Sequence, residues 1–122
     1  MKPAAHPSQP DTPIAGALYS VNDGEGNYRV AKVLVTDPGG VHIRLYKNKF
    51  SERPPQVNPS SLDLGSIHDP EGFGMGHMPL SYASFSAWEP IFLVAIGVDE
   101  EELEGYLYWQ EGEGGYFGRP GH

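Results

Sequence analysis

The sequence predicts a small, mainly β domain: a strongly bent antiparallel sheet or partly open barrel with one or two short helices packed on it. Two segments rich in β-branched residues, at 28–36 and 41–47, flank a Pro-Gly turn and are typical of strands. Glycine (16) and proline (12) together exceed a fifth of the 122 residues, which favours many turns over long helices. Hydrophobic residues make up 39% of the chain, as expected for one globular domain.

The first 13 residues are expected to form a disordered leader, because they contain four prolines and almost nothing to bury. They lack the apolar run of a secretion signal, and the longest apolar run, residues 91–96, is too short to span a bilayer. We therefore expect a single domain over residues 14–118, a tail at 119–122, a cytoplasmic location and no membrane association. The chain has no cysteine, which excludes disulfides and thiolate metal sites.

Charge divides the chain into two unlike halves. The net charge is −8 and the isoelectric point is about 4.9. Residues 1–56 carry seven basic and five acidic side chains, whereas residues 57–122 carry one basic and eleven acidic side chains. The acidic second half is expected to repel phosphates and to suit a basic partner.

The first strands are predicted around two turn signals. A short strand from Ile14 to Val21 ends at the polar, glycine-rich segment 22–27, which is typical of a turn. The next strand covers residues 28–36. Residues 37–40 contain Pro-Gly, which favours a tight turn.

Alternation in the third strand assigns its side chains to two faces. The buried face is expected to carry three aliphatic side chains, Val41, Ile43 and Leu45. The opposite face is expected to carry His42, Arg44 and Tyr46. A tight hairpin closed at Pro38-Gly39 would place Leu34 opposite Ile43 and Val33 opposite Arg44.

Residues 51–79 contain no long periodic segment. Leu62 and Leu64 are compatible with one short strand. Residues 65–79 are predicted to form a loop, which is long for a compact domain and therefore more often functional than an average loop.

The last third of the chain predicts two short helices around a strand. Ser81 has the side chain of an N-cap for a helix over residues 82–88, and residues 91–98 are predicted to be a buried strand. Asp99 and Glu102 have the spacing of a capping box, which starts a helix that ends near residue 110. The apolar side of that helix is expected to carry Leu103, Tyr106 and Leu107. A frayed strand is expected around residues 116–117.

The long loop contains the only group that resembles a metal site, namely His68, Asp69, Glu71 and His77. Two histidines and a carboxylate can bind zinc. Their spacing matches no established metal motif, however, and Asp69-Pro70 and Glu71-Gly72 are typical of turns. We therefore expect a structural loop without a metal or other cofactor. A metal-dependent hydrolase that uses His68, Asp69 and His77 is the alternative.

The hairpin also presents a basic and aromatic set that could contact nucleic acid: Tyr28, Arg29, Lys32, Arg44, Tyr46, Lys47 and Lys49. Small barrels bind single strands through such faces. The acidic charge of the whole domain opposes this function, and basic side chains also keep sheet edges soluble. Nucleic acid is therefore the less favoured partner.

The opening segment GALYSVNDGEGNYRVAKVL, residues 16–34, resembles the entrance to small bacterial SH3- or Tudor-like barrels. These share a glycine-led first strand, a polar glycine-containing turn and a long strand that carries the core. The segment is similar to the barrels of the immunity protein 26 family, partners of polymorphic toxins. The resemblance implies an SH3-like, partly open barrel with a non-enzymatic binding role, and it transfers no functional residues.

Together these observations predict a protein-binding module that is not an enzyme, most concretely a bacterial immunity-type inhibitor of a toxin. Its partner is expected to be another protein with a basic surface, such as a nuclease active site. The candidate partner-binding residues are Asp99, Glu100, Glu101, Glu104, Arg44 and Tyr46. A metal-dependent hydrolase and a nucleic-acid-binding small barrel are the alternatives.

Overall fold

The strands are β1 (Ala17–Asn22), β2 (Tyr28–Asp37), β3 (Gly40–Leu45), β4 (Met75–Leu80) and β5 (Ile91–Ala95). The computed structural model describes residues 13–65, 74–112 and 114–116. Within these residues the five strands form one unclosed, antiparallel sheet in the order β4-β3-β2-β1-β5. The predicted mainly β fold is thus confirmed. Apart from Pro13, the predicted leader and the predicted tail at 119–122 lie outside the described residues.

The turn between β2 and β3 lies where the sequence predicts it. Asp37 pairs with Gly40 across Pro38-Gly39, and its Oδ1 accepts hydrogen bonds from the Gly39 and Gly40 N–H groups. This carboxylate satisfies two turn amides at once, which is a usual role of aspartate in tight turns.

A bulge in β2 changes the predicted register beyond this turn. The pairing shifts between Val33 and Val35, so that Val33 lies opposite Ile43 and Lys32 lies opposite Arg44. The predicted pairing of Leu34 with Ile43 is therefore wrong, because a bulge inserts one extra residue into a strand. As a result Val33 joins the aliphatic core and Lys32 moves to the other face.

One face of the sheet, the apolar face, carries the main core. Its buried side chains are those of Ala17, Tyr19, Val21, Ala31, Val33, Val41, Ile43, Leu45 and Leu80, together with Phe85. Phe85 belongs to α1 (Tyr82–Ala87), which connects β4 to β5. The Ser81 Oγ accepts a hydrogen bond of 3.1 Å from the Ser84 N–H, so the predicted N-cap is confirmed.

The second face of the sheet is covered by two other segments. At one end Leu18, Val30 and Tyr46 pack against part of the segment 50–64 and against Leu93 and Val94 of the neighbouring β5. At the other end lie Lys32, His42 and Arg44, covered by a 3-10 turn (Glu100–Leu103) and by α2 (Glu104–Glu111). None of the helices in the described residues has the length and apolarity needed to cross a membrane.

Three predicted elements differ from the structure. Residues 75–80 form β4 rather than the end of a loop, and Pro79 fits there because β4 is an edge strand of the described sheet. Leu62 and Leu64 form no strand; they follow a 3-10 turn (Pro59–Ser61) and pack, partly buried, against the second face. β5 ends at Ala95.

β5 is also less buried than predicted, since Ile91 is 44% exposed. An edge strand covered on one side retains this exposure even when its sequence is uniformly apolar. Tyr116 is buried but belongs to no strand, and Phe117 lies outside the described residues.

Candidate functional site

Ionisable and aromatic side chains gather between the second face of the sheet and the segment that covers it. We call this set the polar layer. The sheet supplies Lys32 and Asp37 from β2, His42 and Arg44 from β3, and His77 from β4. The cover supplies Glu102, Tyr106, Trp109 and Tyr116.

The first part of the polar layer is a buried ion cluster around Glu102. Its Oε1 lies 2.7 Å from the Lys32 Nζ, and its Oε2 lies 3.6 Å from the Arg44 Nη1. Lys32 is 4% exposed and Glu102 is 8% exposed. The two cations are cross-strand neighbours, and buried charges are tolerated when they are paired. Glu102 therefore compensates a repulsion built into the sheet.

The same carboxylate also starts the covering segment. The Glu102 Oε1 accepts a hydrogen bond of 2.9 Å from the Asp99 N–H, so the predicted capping role of Glu102 is confirmed. Burial alone would raise the pKa of Glu102, but the hydrogen bonds from Asp99 and Lys32 and the charges of Lys32 and Arg44 lower it. The Glu102 carboxylate is therefore charged at neutral pH, and it links the start of the helical segment to the sheet.

The second part of the polar layer is a histidine pair. His42 is fully buried, and its Nδ1 lies 2.9 Å from the His77 Nε2. The ring planes differ by 9° and the ring centres are 5.1 Å apart. With such a short nitrogen–nitrogen distance, these values describe two coplanar rings joined edge to edge by a hydrogen bond, not a face-to-face stack.

The other nitrogen of His42 continues this chain of hydrogen bonds. Its Nε2 lies 2.8 Å from the Tyr116 hydroxyl and 3.3 Å from the Asp37 Oδ2. The Tyr116 hydroxyl donates a short hydrogen bond to the same Asp37 oxygen. Since Tyr116 has one hydrogen to donate, the His42 Nε2 carries the hydrogen between His42 and Tyr116. The His42 Nδ1 is then an acceptor, and the His77 Nε2–H donates to it.

The environment keeps both histidines neutral. Burial and the proximity of His42 lower the pKa of His77 to about 4. Burial also lowers the pKa of His42, although Asp37 opposes the shift. Burial and the hydrogen bond to Asp37 raise the pKa of Tyr116. The hydrogen-bond chain from His77 to Asp37 is therefore uncharged at pH 7 except for the carboxylate at its end.

Two aromatic rings and a glycine of α2 cover the histidine pair. Tyr106 and Trp109 meet the His42 ring edge to face, with ring centres 4.6 and 4.4 Å away. Gly105 lies directly over His77, where a Cβ would come within 2.6 Å of the His77 Cβ. Only glycine allows this close approach of α2 to β4.

The described residues contain no group of three or more His, Cys, Asp or Glu side chains that could hold a metal ion. Of the metal candidates, His68, Asp69 and Glu71 lie outside the described residues. The His77 Nε2 points at His42 along a 2.9 Å hydrogen bond. The His42 Nδ1 accepts this hydrogen bond, so both nitrogens are occupied by their contact with each other. The pair is built as a hydrogen bond.

The structure separates the residues predicted to bind a partner. Asp99, Glu100, Glu101 and Glu104 are all exposed. Arg44 instead contacts Glu102, and Tyr46 is buried at 8% exposure among the apolar residues of the second face. The acidic candidates lie on the surface, whereas Tyr46 is buried and Arg44 is partly buried, with 21% of its side chain exposed.

The inward side of α2 matches the sequence prediction only in part, since Tyr106 packs on His42 as expected and Leu103 is partly buried. Leu107 was expected on the apolar, inward side but is 53% exposed, while Trp109 faces His42. The inward positions 102, 105, 106 and 109 have helical spacing, which leaves Leu107 on the outside.

We call the opposite side of this segment the outer stripe. It carries two large apolar side chains, Leu107 at 53% and Tyr108 at 69% exposure. Exposed carboxylates accompany them at helical spacing, namely Glu101, Glu104 and Glu111. Sequence analysis did not identify Leu107 and Tyr108 as surface residues, because apolar side chains on a short helix predict a core position.

A smaller feature lies at the end of the apolar face. A cleft of about 120 Å³ is lined by Val21, Asn22, Asp23, Arg29, Leu45 and Trp88. Typical small-molecule sites have volumes of about 300–1,000 Å³, so this cleft is too small for such a ligand.

Comparison with known proteins gives no relative from which a function could be transferred. No protein-family model, no curated protein and no solved structure matches the chain. The arrangement of the polar layer and the outer stripe is therefore the basis for the function proposed below.

Proposed function

We propose that this protein is a non-enzymatic protein-binding module whose outer stripe docks on a basic protein surface. The observation that carries the proposal is the exposure of Leu107 and Tyr108 beside three carboxylates on a helix whose other side is fixed to the sheet. Neighbouring apolar side chains that are exposed together and bordered by charged ones are typical of an interaction surface.

Each part of the stripe has a distinct physical role in such binding. A tyrosine and a leucine supply apolar area, and tyrosine is among the residues that dominate the energy of protein interfaces. The surrounding carboxylates favour encounter with a basic surface and disfavour acidic ones. Glu100, Glu101 and Glu104 extend the acidic rim beyond what capping requires, since Asp99 and Glu102 form the capping box.

The most concrete form of the proposal is a bacterial, cytoplasmic immunity-type inhibitor that occludes the basic active site of a toxin. The acidic second half of the chain and the resemblance of residues 16–34 to immunity-type barrels support it. In this function the stripe would cover the toxin surface without performing chemistry.

The structure offers less support for the alternatives. Nucleic acid binding by the hairpin would need available cations, but Lys32 and Arg44 contact Glu102. A hydrolase would need histidine nitrogens directed at a substrate, but the three placed nitrogens of the His42–His77 pair point at protein groups.

The test is a comparison of two double variants in binding to a host protein. The wild-type chain is first used to capture a host protein, which is then purified. The dissociation constant of this captured protein is measured for the wild-type chain, for the variant Leu107→Ser/Tyr108→Ser and for the control variant Ile14→Ser/Ile96→Ser. Ile14 and Ile96 are similarly exposed apolar residues outside the stripe, at 43% and 44%.

We expect the captured protein to be basic, and we expect the stripe variant to bind it at least tenfold more weakly while the control binds as wild type does. Circular dichroism verifies that both variants are folded. Equal binding by all three chains, or an acidic captured protein, would overturn the proposal.

A further inference from the structure

The outer stripe and the histidine pair lie on opposite sides of the same helix. Leu107 and Tyr108 face solvent, whereas Tyr106 and Trp109 pack on His42. Any change that displaces α2 from the histidine pair therefore also displaces the stripe.

α2 depends on the sheet for its existence as a helix. It has eight residues, and isolated helices shorter than about 12–15 residues are marginal in water. The contacts that hold it belong to the polar layer: Glu102 to Lys32, the two aromatic rings on His42, and Gly105 over His77. Without these contacts we expect both the helix and the stripe to be lost.

An added proton has two positions in the pair. On the His77 Nδ1 it leaves the hydrogen bond to His42 in place, whereas on the His42 Nδ1 it would face the His77 Nε2–H. Either position creates an imidazolium between the sheet and α2, where His42 is fully buried and His77 is partly buried, and removing a charge from water is costly.

The charged groups around the pair compensate such a cation only in part. From β2, the Asp37 carboxylate lies 3.3 Å from His42 and favours a proton there, but it also accepts from Tyr116 and two turn amides. Burial and His42 itself both disfavour a proton on His77. From the 3-10 turn, Glu102 contacts Lys32 of β2 and Arg44 of β3, so this cluster holds two cations for one anion. α2 and residue 116 contribute the phenol rings of Tyr106 and Tyr116.

We infer that the docking of α2 is a pH-sensitive latch: a proton added to the His42–His77 pair releases α2 from the sheet and removes the outer stripe as a binding surface. This inference concerns the regulation of the surface proposed above and rests on that function for its biological meaning. By linkage, a partner bound to the stripe must also hold the pair neutral.

The size of the effect follows from one histidine. If His77 has a pKa of about 4 when α2 is docked and its usual value of 6.5 when α2 is released, lowering the pH from 7.5 to 5 favours release by roughly thirtyfold. Protonation of His42 would add to this factor.

The experiment is backbone hydrogen exchange of the full chain alone at pH 7.5 and pH 5, corrected for the intrinsic effect of pH. We expect amides 104–111 to exchange roughly thirtyfold faster at pH 5, and amides of β1, β2 and β3 to remain far better protected than those of α2 at both pH values. The variant His77→Gln keeps an N–H donor toward His42 but cannot be charged, and it should remove most of the change.

Two results would overturn the latch: unchanged protection of 104–111 at pH 5, or protection of 104–111 equal to that of the three strands at both pH values, which would mean that α2 opens only when the whole sheet unfolds. If His77→Gln does not fold, ring-nitrogen resonances of the wild-type chain replace it, and they must show His77 gaining its proton together with the loss of protection. Because no partner is used, failure here removes the latch and leaves the stripe, whereas failure of the capture experiment removes the stripe and leaves the latch.

Discussion

The two faces of the sheet are stabilised by different kinds of interaction. On the apolar face, Val33, Val41 and Ile43 are completely buried and contact aliphatic or aromatic neighbours. On the second face, the equally buried Lys32 and His42 depend on hydrogen bonds and on one carboxylate each. Burial of an aliphatic side chain contributes about 1.5–3 kcal/mol whatever the pH, whereas a buried ion pair contributes little net but is expensive to break.

Because of this difference, the two faces contribute to the structure in different ways. The apolar face maintains the fold under α1, and its contribution is insensitive to pH and salt. The second face positions α2, and its contribution depends on the protonation of specific side chains. The outer stripe is carried by α2, which rests on the second face, so the proposed binding would depend on the protonation of that face.

The largest expected effect compares neighbouring residues of β3. Ile43→Asp places an unpaired carboxylate in the apolar core and should reduce the free energy of unfolding by about 4 kcal/mol. Arg44→Asp puts a carboxylate beside Glu102 and should cost about 1–2 kcal/mol. Urea denaturation at pH 7 measures both. Equal losses would mean that the two faces are not distinct.

The next comparison uses adjacent glutamates of the 3-10 turn. Glu102→Gln leaves Lys32 buried without an ionic partner and should cost about 2–3 kcal/mol, while the exposed Glu101→Gln should stay within about 0.5 kcal/mol. A Lys32→Met/Glu102→Gln variant should be more stable than Glu102→Gln alone, because the unpaired cation is gone. A double variant less stable than Glu102→Gln would contradict the pairing in the polar layer.

The pH dependence of stability should arise on the second face. The folded-state pKa of His77 is about 4, below its usual 6.5, so the unfolded chain binds more protons between these values and stability falls as the pH falls through this window. We expect a loss of about 2 kcal/mol between pH 7.5 and 5 from His77. Asp37 and Glu102 have lowered pKa values, so their contributions are lost only at more acidic pH.

Denaturation of wild type and His77→Gln at several pH values separates these contributions. The variant should show a much flatter dependence between pH 6.5 and 5 and the same decline below pH 4. An identical slope in the two proteins would remove His77 as the cause.

Local patterns predicted much of the fold because they act over a few residues. Alternation in β3 correctly places Ile43 in the core, the Pro-Gly turn lies where expected, and Ser81 caps α1. Each of these follows from interactions between groups close in the chain, which sequence reasoning can evaluate.

The polar layer could not be predicted because it joins groups distant in the chain. His42 meets His77 across 35 residues and Tyr116 across 74, and no periodicity encodes such contacts. The capping role of Glu102 was visible from its spacing to Asp99, but its second role, opposite Lys32, depends on the register of β2. That register is set by a bulge that leaves no clear local signal.

The last comparison removes charges from exposed positions. We expect almost no change in the free energy of unfolding but a large change in the rate of association with a partner. Glu101→Gln/Glu104→Gln removes two charges from the outer stripe, and Glu25→Gln/Glu52→Gln removes the same charge from exposed positions elsewhere. Both variants should unfold within about 0.5 kcal/mol of wild type. They differ only in where the charge is lost, so the net charge is matched.

The measurement that tests the account most directly is the association rate of these chains with the purified basic partner as a function of salt concentration. Exposed charges are screened over about 10 Å at 0.1 M salt. We therefore expect the stripe variant to associate several-fold more slowly than wild type at low salt, with a weaker salt dependence, and the control variant to match wild type. Equal slowing of both variants, or rates indifferent to salt and substitution, would contradict the assignment of the outer stripe as the binding surface.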